Sequence, residues 1–188
     1  MIEIYENFLS GSKYKSLYKA MGSDQFPWYK APAMTHSQRP DIKAALTNKE
    51  TSLLFHRFYF RGDNFISSTF NFLLDYFPFL NNLDLNCARA NLICPSGLDL
   101  RHTPYHNDVL TNGSVRESSW VAIYYLHGNA SPTIFKTGLL ARKLIFPKNN
   151  RLVVFPNRIK HAMYLPAKKD RMVINFNFLN QHPIKSYA

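Results

Sequence analysis

The chain has 188 residues, 46 % of them hydrophobic and 19 % charged, a composition that excludes a disordered or low-complexity protein and fits one compact domain over 1–188. Its formal net charge of +11 leaves a nucleic-acid partner open, yet the cations are scattered in ones and twos, as at Arg142-Lys143 and Lys168-Lys169, and read as a solvated surface. No run is apolar and long enough for a membrane helix, Met1-Ile2-Glu3-Ile4 lacks the features of a signal peptide, and two cysteines, Cys87 and Cys94, are too few for a disulfide framework, so an intracellular protein is expected.

The first part of the chain reads as helical. Ser10 or Ser12 can cap a helix that carries Tyr14, Leu17, Tyr18 and Met21 and ends at Gly22. Pro27 biases Phe26 away from helix, so Gln25–Tyr29 reads as extended. Residues 31–50 are polar and turn-rich, with a short helix expected around Asp41–Thr47. A second helix is predicted over Asn64–Tyr76, capped by Asp63 or Asn64, with Phe65, Phe72, Leu73 and Tyr76 on one face.

From about residue 86 the period becomes two. Arg89, Asn91 and Ile93 face one way, and Ala90, Leu92 and Cys94 the other. Further strands are predicted at Trp120–Leu126, Thr133–Phe135, Arg142–Phe146, Leu152–Phe155 and Arg171–Phe178, with turn residues between them. Short strands at close spacing, with no helices between, indicate an antiparallel barrel or jelly roll, so the fold class is α+β with a helical part over about 1–80 and a β core over about 86–180. In the last strand Met172, Ile174, Phe176 and Phe178 form an apolar face, expected to pack on the N-terminal helices. Arg171, Asn175 and Asn177, with Val173 among them, face solvent or a polar cavity.

Chemistry concentrates in Tyr105-His106-Asn107-Asp108, read with His161 and Arg171. On a strand, His106 and Asp108 would leave the same face about 6.6 Å apart, close enough to reach one metal. Two imidazoles and a carboxylate on one face suit ferrous iron and leave positions open for substrate and dioxygen. An Arg offers a planar fork for a carboxylate. Each residue also has a plain reading: a surface turn pair, an exposed His after the Pro156-Asn157 turn, an exposed strand-end Arg. His36, His56, His102, His127 and His182 compete for the second imidazole. The Pro166–Asp170 turn places His161 and Arg171 on neighbouring strands.

Together these segments resemble the iron(II)- and 2-oxoglutarate-dependent dioxygenases, near the prolyl-4-hydroxylase-like branch and most like its small phage-encoded members. The resemblance runs through Tyr5–Ser10, Phe26-Pro27-Trp28, Arg89–Leu92, Ile123–Leu126, Pro132–Phe135 (without the usual Gly pair), Arg151–Pro156, His161 and Arg171–Phe176. It implies a double-stranded β-helix, a cupin-like jelly roll with the N-terminal helices packed on one sheet. It implies His106, Asp108 and His161 as Fe(2+) ligands and catalytic residues, and Arg171 as partner of the distal carboxylate of 2-oxoglutarate. Tyr125 is implied as a helper in that pocket, with Asn91 and Asn175 lining it and Thr133 a weaker candidate.

The implied activity is hydroxylation by dioxygen of an unidentified substrate, with release of succinate and carbon dioxide. A peptide side chain, a nucleobase and a small metabolite remain open as substrates; loops 109–119 and 31–50 are expected to shape the entrance. The expected location is the cytoplasm, that of the host if the protein is phage-encoded. Two other readings stand beside this one: a basic β-barrel module that binds nucleic acid without catalysis, and a cupin-like metal-binding protein that has lost it.

Overall fold

The computed structural model describes residues 1–30, 53–82, 84–95, 102–111, 114–128, 131–166 and 168–185. The helix expected at Asp41–Thr47, and the expected loop that contains it, lie outside these residues.

The chain opens with strand β1 (Glu3–Tyr5) and helix α1 (Gly11–Met21). The Ser10 side chain accepts from the Lys13 N–H at the start of α1, and Gly22 closes its end, as expected. Next come β2 (Tyr29–Lys30), β3 (Leu53–Phe60), β4 (Phe65–Ile66) and helix α2 (Phe70–Tyr76). The second helix is therefore half the expected length. Asn64 takes a left-handed φ of 53°, and Phe65–Ile66 turns back to pair with Tyr59–Phe60. An α-helix cannot pass through a left-handed residue, so α2 begins only after Ser67 and Thr69.

The remaining strands are β5 (Leu85–Ile93), β6 (Leu110–Thr111), β7 (Ser114–Val115), β8 (Trp120–Tyr125), β9 (Thr133–Lys136), β10 (Arg142–Ile145), β11 (Arg151–Pro156), β12 (His161–Met163) and β13 (Arg171–Phe178). The main sheet is antiparallel, in the order β1-β11-β8-β13-β5-β3-β2, with β4 against β3. A second sheet has the order β10-β9-β12.

Strand β3 corrects the expectation of a helical first part, because residues 53–60 pair with β5 near one edge of the main sheet. Its sequence, Leu-Leu-Phe-His-Arg-Phe-Tyr-Phe, is nearly continuous in large apolar groups and hides the alternation that marks a half-buried strand.

The two faces of the main sheet do different work. On the outer face Ala88, Ala90, Tyr124, Ile174, Phe176 and Phe178 pack against Leu17 and Met21 of α1, Leu73 of α2, and Phe77 and Phe79 after it. The Phe77 ring lies 5.0 Å from both Tyr124 and Phe176. This is the helical cover expected for the apolar face of β13. On the inner face Val121, Ile123, Tyr125, Val153, Phe155 and Val173 pack with Phe135 and Ile145 of the second sheet. The inner face also carries Arg171, Asn175 and Asn177, and there the site forms.

Asn150 ties the N-terminal segment to this frame. Its amide accepts from Leu9 N (2.8 Å) and the Tyr124 hydroxyl (2.8 Å) and donates to Leu9 O (2.7 Å), on a backbone at φ 58°. Asn150→Ala leaves three buried polar groups without partners and strains a left-handed position. It should lower stability by roughly 2–4 kcal/mol, read as a shift in the urea midpoint at unchanged m-value.

Candidate metal centre

His106 and His161 are brought together by backbone pairing. They oppose each other in an antiparallel bridge, each N–H donating to the other's carbonyl at 3.0 Å. Directly opposed residues of such a pair send their side chains to one face, so the two rings stand 4.5 Å apart. His161 is a residue of β12, whose neighbour is β9, and is 5 % exposed. The plain reading of an exposed His after a turn is thus excluded.

Asp108 reaches the pair differently from the expectation. His106 forms an isolated bridge and the chain bends before Asp108, so the two do not share a continuous strand. Asn157, 1 % exposed, sets the bend. Its Oδ1 accepts from Asp108 N (2.9 Å) and Val109 N (3.1 Å), and its Nδ2 donates to Val109 O (2.7 Å). The Asn107 amide donates to Asn157 O, closing the clamp.

Asp108 Oδ1 consequently lies 3.3 Å from His106 Nε2 and 3.6 Å from His161 Nε2. Donors bound to one ion at about 2.1 Å stand roughly 3–3.5 Å from one another, so the trio fits a single metal. No other group of three such residues gathers among the described residues.

The electrostatics suit ligation. Burial raises the Asp108 carboxyl, but the imidazoles of His161 and His106 outweigh it and hold the group well below the usual carboxylate range. Burial drives the His161 imidazole down to about 4, so it presents a neutral ring. Burial also opposes charge on His106, but its hydrogen bond with Asp108 prevails and raises it. His106 Nδ1 lies 3.0 Å from the Pro104 carbonyl, a contact that keeps a proton on Nδ1 and turns Nε2 toward Asp108, where a metal would displace the proton that Nε2 shares with the carboxylate. In the orientation that satisfies its neighbours, the Asn177 amide donates to Asp108 Oδ2 at 3.2 Å.

Arg171 opens β13 at 4 % exposure. It is not on a strand neighbouring His161, as the spacing suggested: it belongs to the main sheet, whereas His161 belongs to the second. Its Nη2 donates to the Thr133 hydroxyl (2.9 Å), which shares a hydrogen bond with the Tyr125 hydroxyl (2.6 Å). The guanidinium carbon stands 5.5 Å from the centre of the Tyr125 ring, and Nε has no partner. No carboxylate of the described residues pairs with it. Burial pushes this guanidinium down, the mark of a desolvated cation short of a counter-charge.

Asn91 (6 % exposed) sits opposite Val173, and Asn175 opposite Arg89, so both lie on the sheet that carries Arg171, and neither hydrogen-bonds to it. Asn175 Oδ1 is buried without a partner. The competing histidines are occupied elsewhere: His56 between Pro27 O and Thr69, His102 on Thr103 O, His182 on Glu3, and His127 against Tyr18. His36 lies outside the described residues. Cys87 and Cys94 are free thiols, each raised by burial and so unreactive.

Thr133 matters more than its degraded motif suggested, and Asn157 and Asn177 are additional contributors. The polar face of the last strand was a readable signal for Asn177. Asn157 looks like an ordinary turn residue, and only its long-range partners reveal the clamp.

Neither a protein-family model nor a curated protein matches the sequence. Solved structures do match in fold. One is a prolyl-4-hydroxylase from Pseudomonas putida, 14 % identical, covering 96 % of this chain and 92 % of that one at a TM-score of 0.59. Another is an oxidoreductase of the 2OG-Fe(II) oxygenase family from Burkholderia pseudomallei, 10 % identical, covering 96 % and 86 % at 0.64. A third is a viral collagen prolyl hydroxylase from Paramecium bursaria Chlorella virus-1, solved as a 2-oxoglutarate complex, 15 % identical, covering 96 % of each chain at 0.52.

Proposed function

We propose that the protein is an iron(II)- and 2-oxoglutarate-dependent dioxygenase that hydroxylates its substrate, built as one domain over 1–188 on a double-stranded β-helix. The observation that carries this reading is a metal-sized His106–Asp108–His161 trio lying near a buried Arg171 that lacks a counter-anion. In this reading His106, Asp108 and His161 hold iron(II), which when bound supplies the chemistry that couples dioxygen and 2-oxoglutarate to C–H hydroxylation, with succinate and carbon dioxide released.

The other residues bind and shield. Arg171 takes the distal carboxylate of 2-oxoglutarate through its free donors. Thr133 and Tyr125 hold the guanidinium in place and offer hydroxyls to the same carboxylate. Val121, Ile123, Phe155 and Val173 keep water from the inner face, which strengthens each polar contact there. Asn91 and Asn175 line the floor farther along. No helix of the described residues is long and apolar enough to cross a membrane. The proposed setting is the cytoplasm, in a host cell if the source is a phage; the viral hydroxylase of the same fold supports that kinship.

A metal-binding protein without catalysis is the second reading, and the unpaired Arg171 speaks against it. The nucleic-acid module is not supported, since the matching folds described above belong to hydroxylases and oxygenases. With iron(II) and 2-oxoglutarate supplied, the wild type should form succinate slowly even without its substrate. His106→Ala should fall by at least about a hundredfold, because loss of a ligand exceeds loss of a mere supporting hydrogen bond. Equal succinate from both proteins would remove the proposal.

A further inference from the structure

Arg89 stands on β5 and shares the register row Arg57–Arg89–Asn175–Ile123 across β3, β5, β13 and β8. Ile123 belongs to the inner core and Asn175 alternates with Val173, so the row faces the metal centre. Asn177, two residues along the same face of β13 from Asn175, donates to Asp108 Oδ2 at 3.2 Å, which sets the row beside the trio.

Among the described residues, five other guanidiniums have an acceptor, that of Arg171 in Thr133. Arg57 pairs with Asp63, Arg61 with Asp84, Arg151 with Glu6, and Arg116 donates to Asn180. Arg89 has no hydrogen bond or ion pair with the described residues, and its Nε is buried without a partner beside the equally unpartnered Asn175 Oδ1.

Arg171 does not serve the same ligand. Arg171 pairs with Ile93 in the register, four residues along β5 from Arg89, about 13 Å of strand. The two cations therefore stand apart along the inner face of the sheet. The charges point the same way. Under the proposed function, iron(II), ionised Asp108, Arg171 and dianionic 2-oxoglutarate sum to neutrality, and Arg89 is left over.

We propose, building on that function, that Arg89 is a specificity-determining residue and that the substrate carries a carboxylate which Arg89 binds beside the metal. A carboxylate placed there would accept from the free Nε and Nη groups in the two-pronged geometry that guanidinium favours. The rest of the substrate has room at the edge of the sheet next to Arg89. Past Arg89, Phe55 and Arg57 of β3 border a groove of about 350 Å³, also lined by Tyr29, His56, Phe65 and Ser67, a volume within the small-molecule range.

The test uses the full chain loaded with redox-inert zinc(II) and 2-oxoglutarate, titrated calorimetrically with acetate, N-acetylglycine and hippurate, each beside its primary amide. At least one acid should bind the wild type tenfold or more tighter than its amide. Arg89→Gln should bring acid and amide within twofold, and Arg89→Lys should restore part of the gap. Equal binding of every acid and amide by the wild type, or no binding of any, overturns the inference. So does an Arg89→Gln protein that loses 2-oxoglutarate as strongly as the acids, since Arg89 would then belong to the cosubstrate site. Failure of the wild type to take up zinc or 2-oxoglutarate at the loading step is a separate result and strikes the proposed function itself.

Discussion

Arg171→Met should weaken 2-oxoglutarate binding by roughly a hundredfold to a thousandfold, about 3–4 kcal/mol, and leave metal affinity nearly unchanged. The guanidinium sits at 4 % exposure with one hydrogen bond, to Thr133, and no ion pair among the described residues. A cosubstrate anion would find its strongest contact there, in a desolvated place where charge–charge attraction is large. The same isolation gives a second result of opposite sign. Without ligand the buried cation is a liability, so an apolar side chain of similar volume should stabilise the ligand-free protein by about 1–3 kcal/mol. A higher thermal midpoint together with lost 2-oxoglutarate affinity identifies a residue kept for binding rather than for folding. Destabilisation with unchanged affinity would instead make Arg171 a structural cation and leave the pocket assignment without support.

Asp108→Asn should reduce divalent-metal affinity by at least about a thousandfold, read by titrating cobalt(II) or zinc(II) into the metal-free protein. The carboxylate is the one anionic donor of the trio, and the facing imidazoles keep it ionised although it is largely buried. An amide of the same shape retains the packing but forfeits the charge that draws a dication to a buried place. Asn157→Ala provides the graded comparison. It leaves all three donors in the chain but releases the Asp108–Val109 backbone from its clamp. Its cost should be about 10–100-fold in metal affinity, the range for groups that orient a ligand without touching the ion. A normal affinity for Asp108→Asn would show that the trio does not bind metal through its carboxylate.

Much of the site was legible because its members are chemically distinctive. A His-x-Asp pair, a later His and an Arg on a strand with polar alternation singled out His106, Asp108, His161 and Arg171 without any contact information. The supporting residues were less visible. Thr133 sits in a motif without its glycines, and Asn157 follows a proline where an asparagine usually just shapes a turn. Arg89 was read as one position of an alternating strand and of the stretch Arg89–Leu92 that carries the resemblance; that it lacks a partner is a property of everything around it.

Local rules in the chain itself decided the first helix, from the Ser10 cap to Gly22, and the strand Arg171–Phe178, whose period-two alternation states both its conformation and which face is apolar. They also decided the kind of chemistry, since donor types are written in the residues. Tertiary structure alone decided the rest. Strand β3 shows little alternation because large apolar groups lie along nearly its whole length. The helix foreseen from Asn64 is cut short by a left-handed residue whose segment pairs back on β3. The placement of His161 opposite His106, and of Arg171 on the other sheet, depends on hydrogen-bond registers between segments remote in the chain. No local preference encodes such a register; it is selected when two sheets close over one core, since a slip by one residue would turn every inward side chain outward.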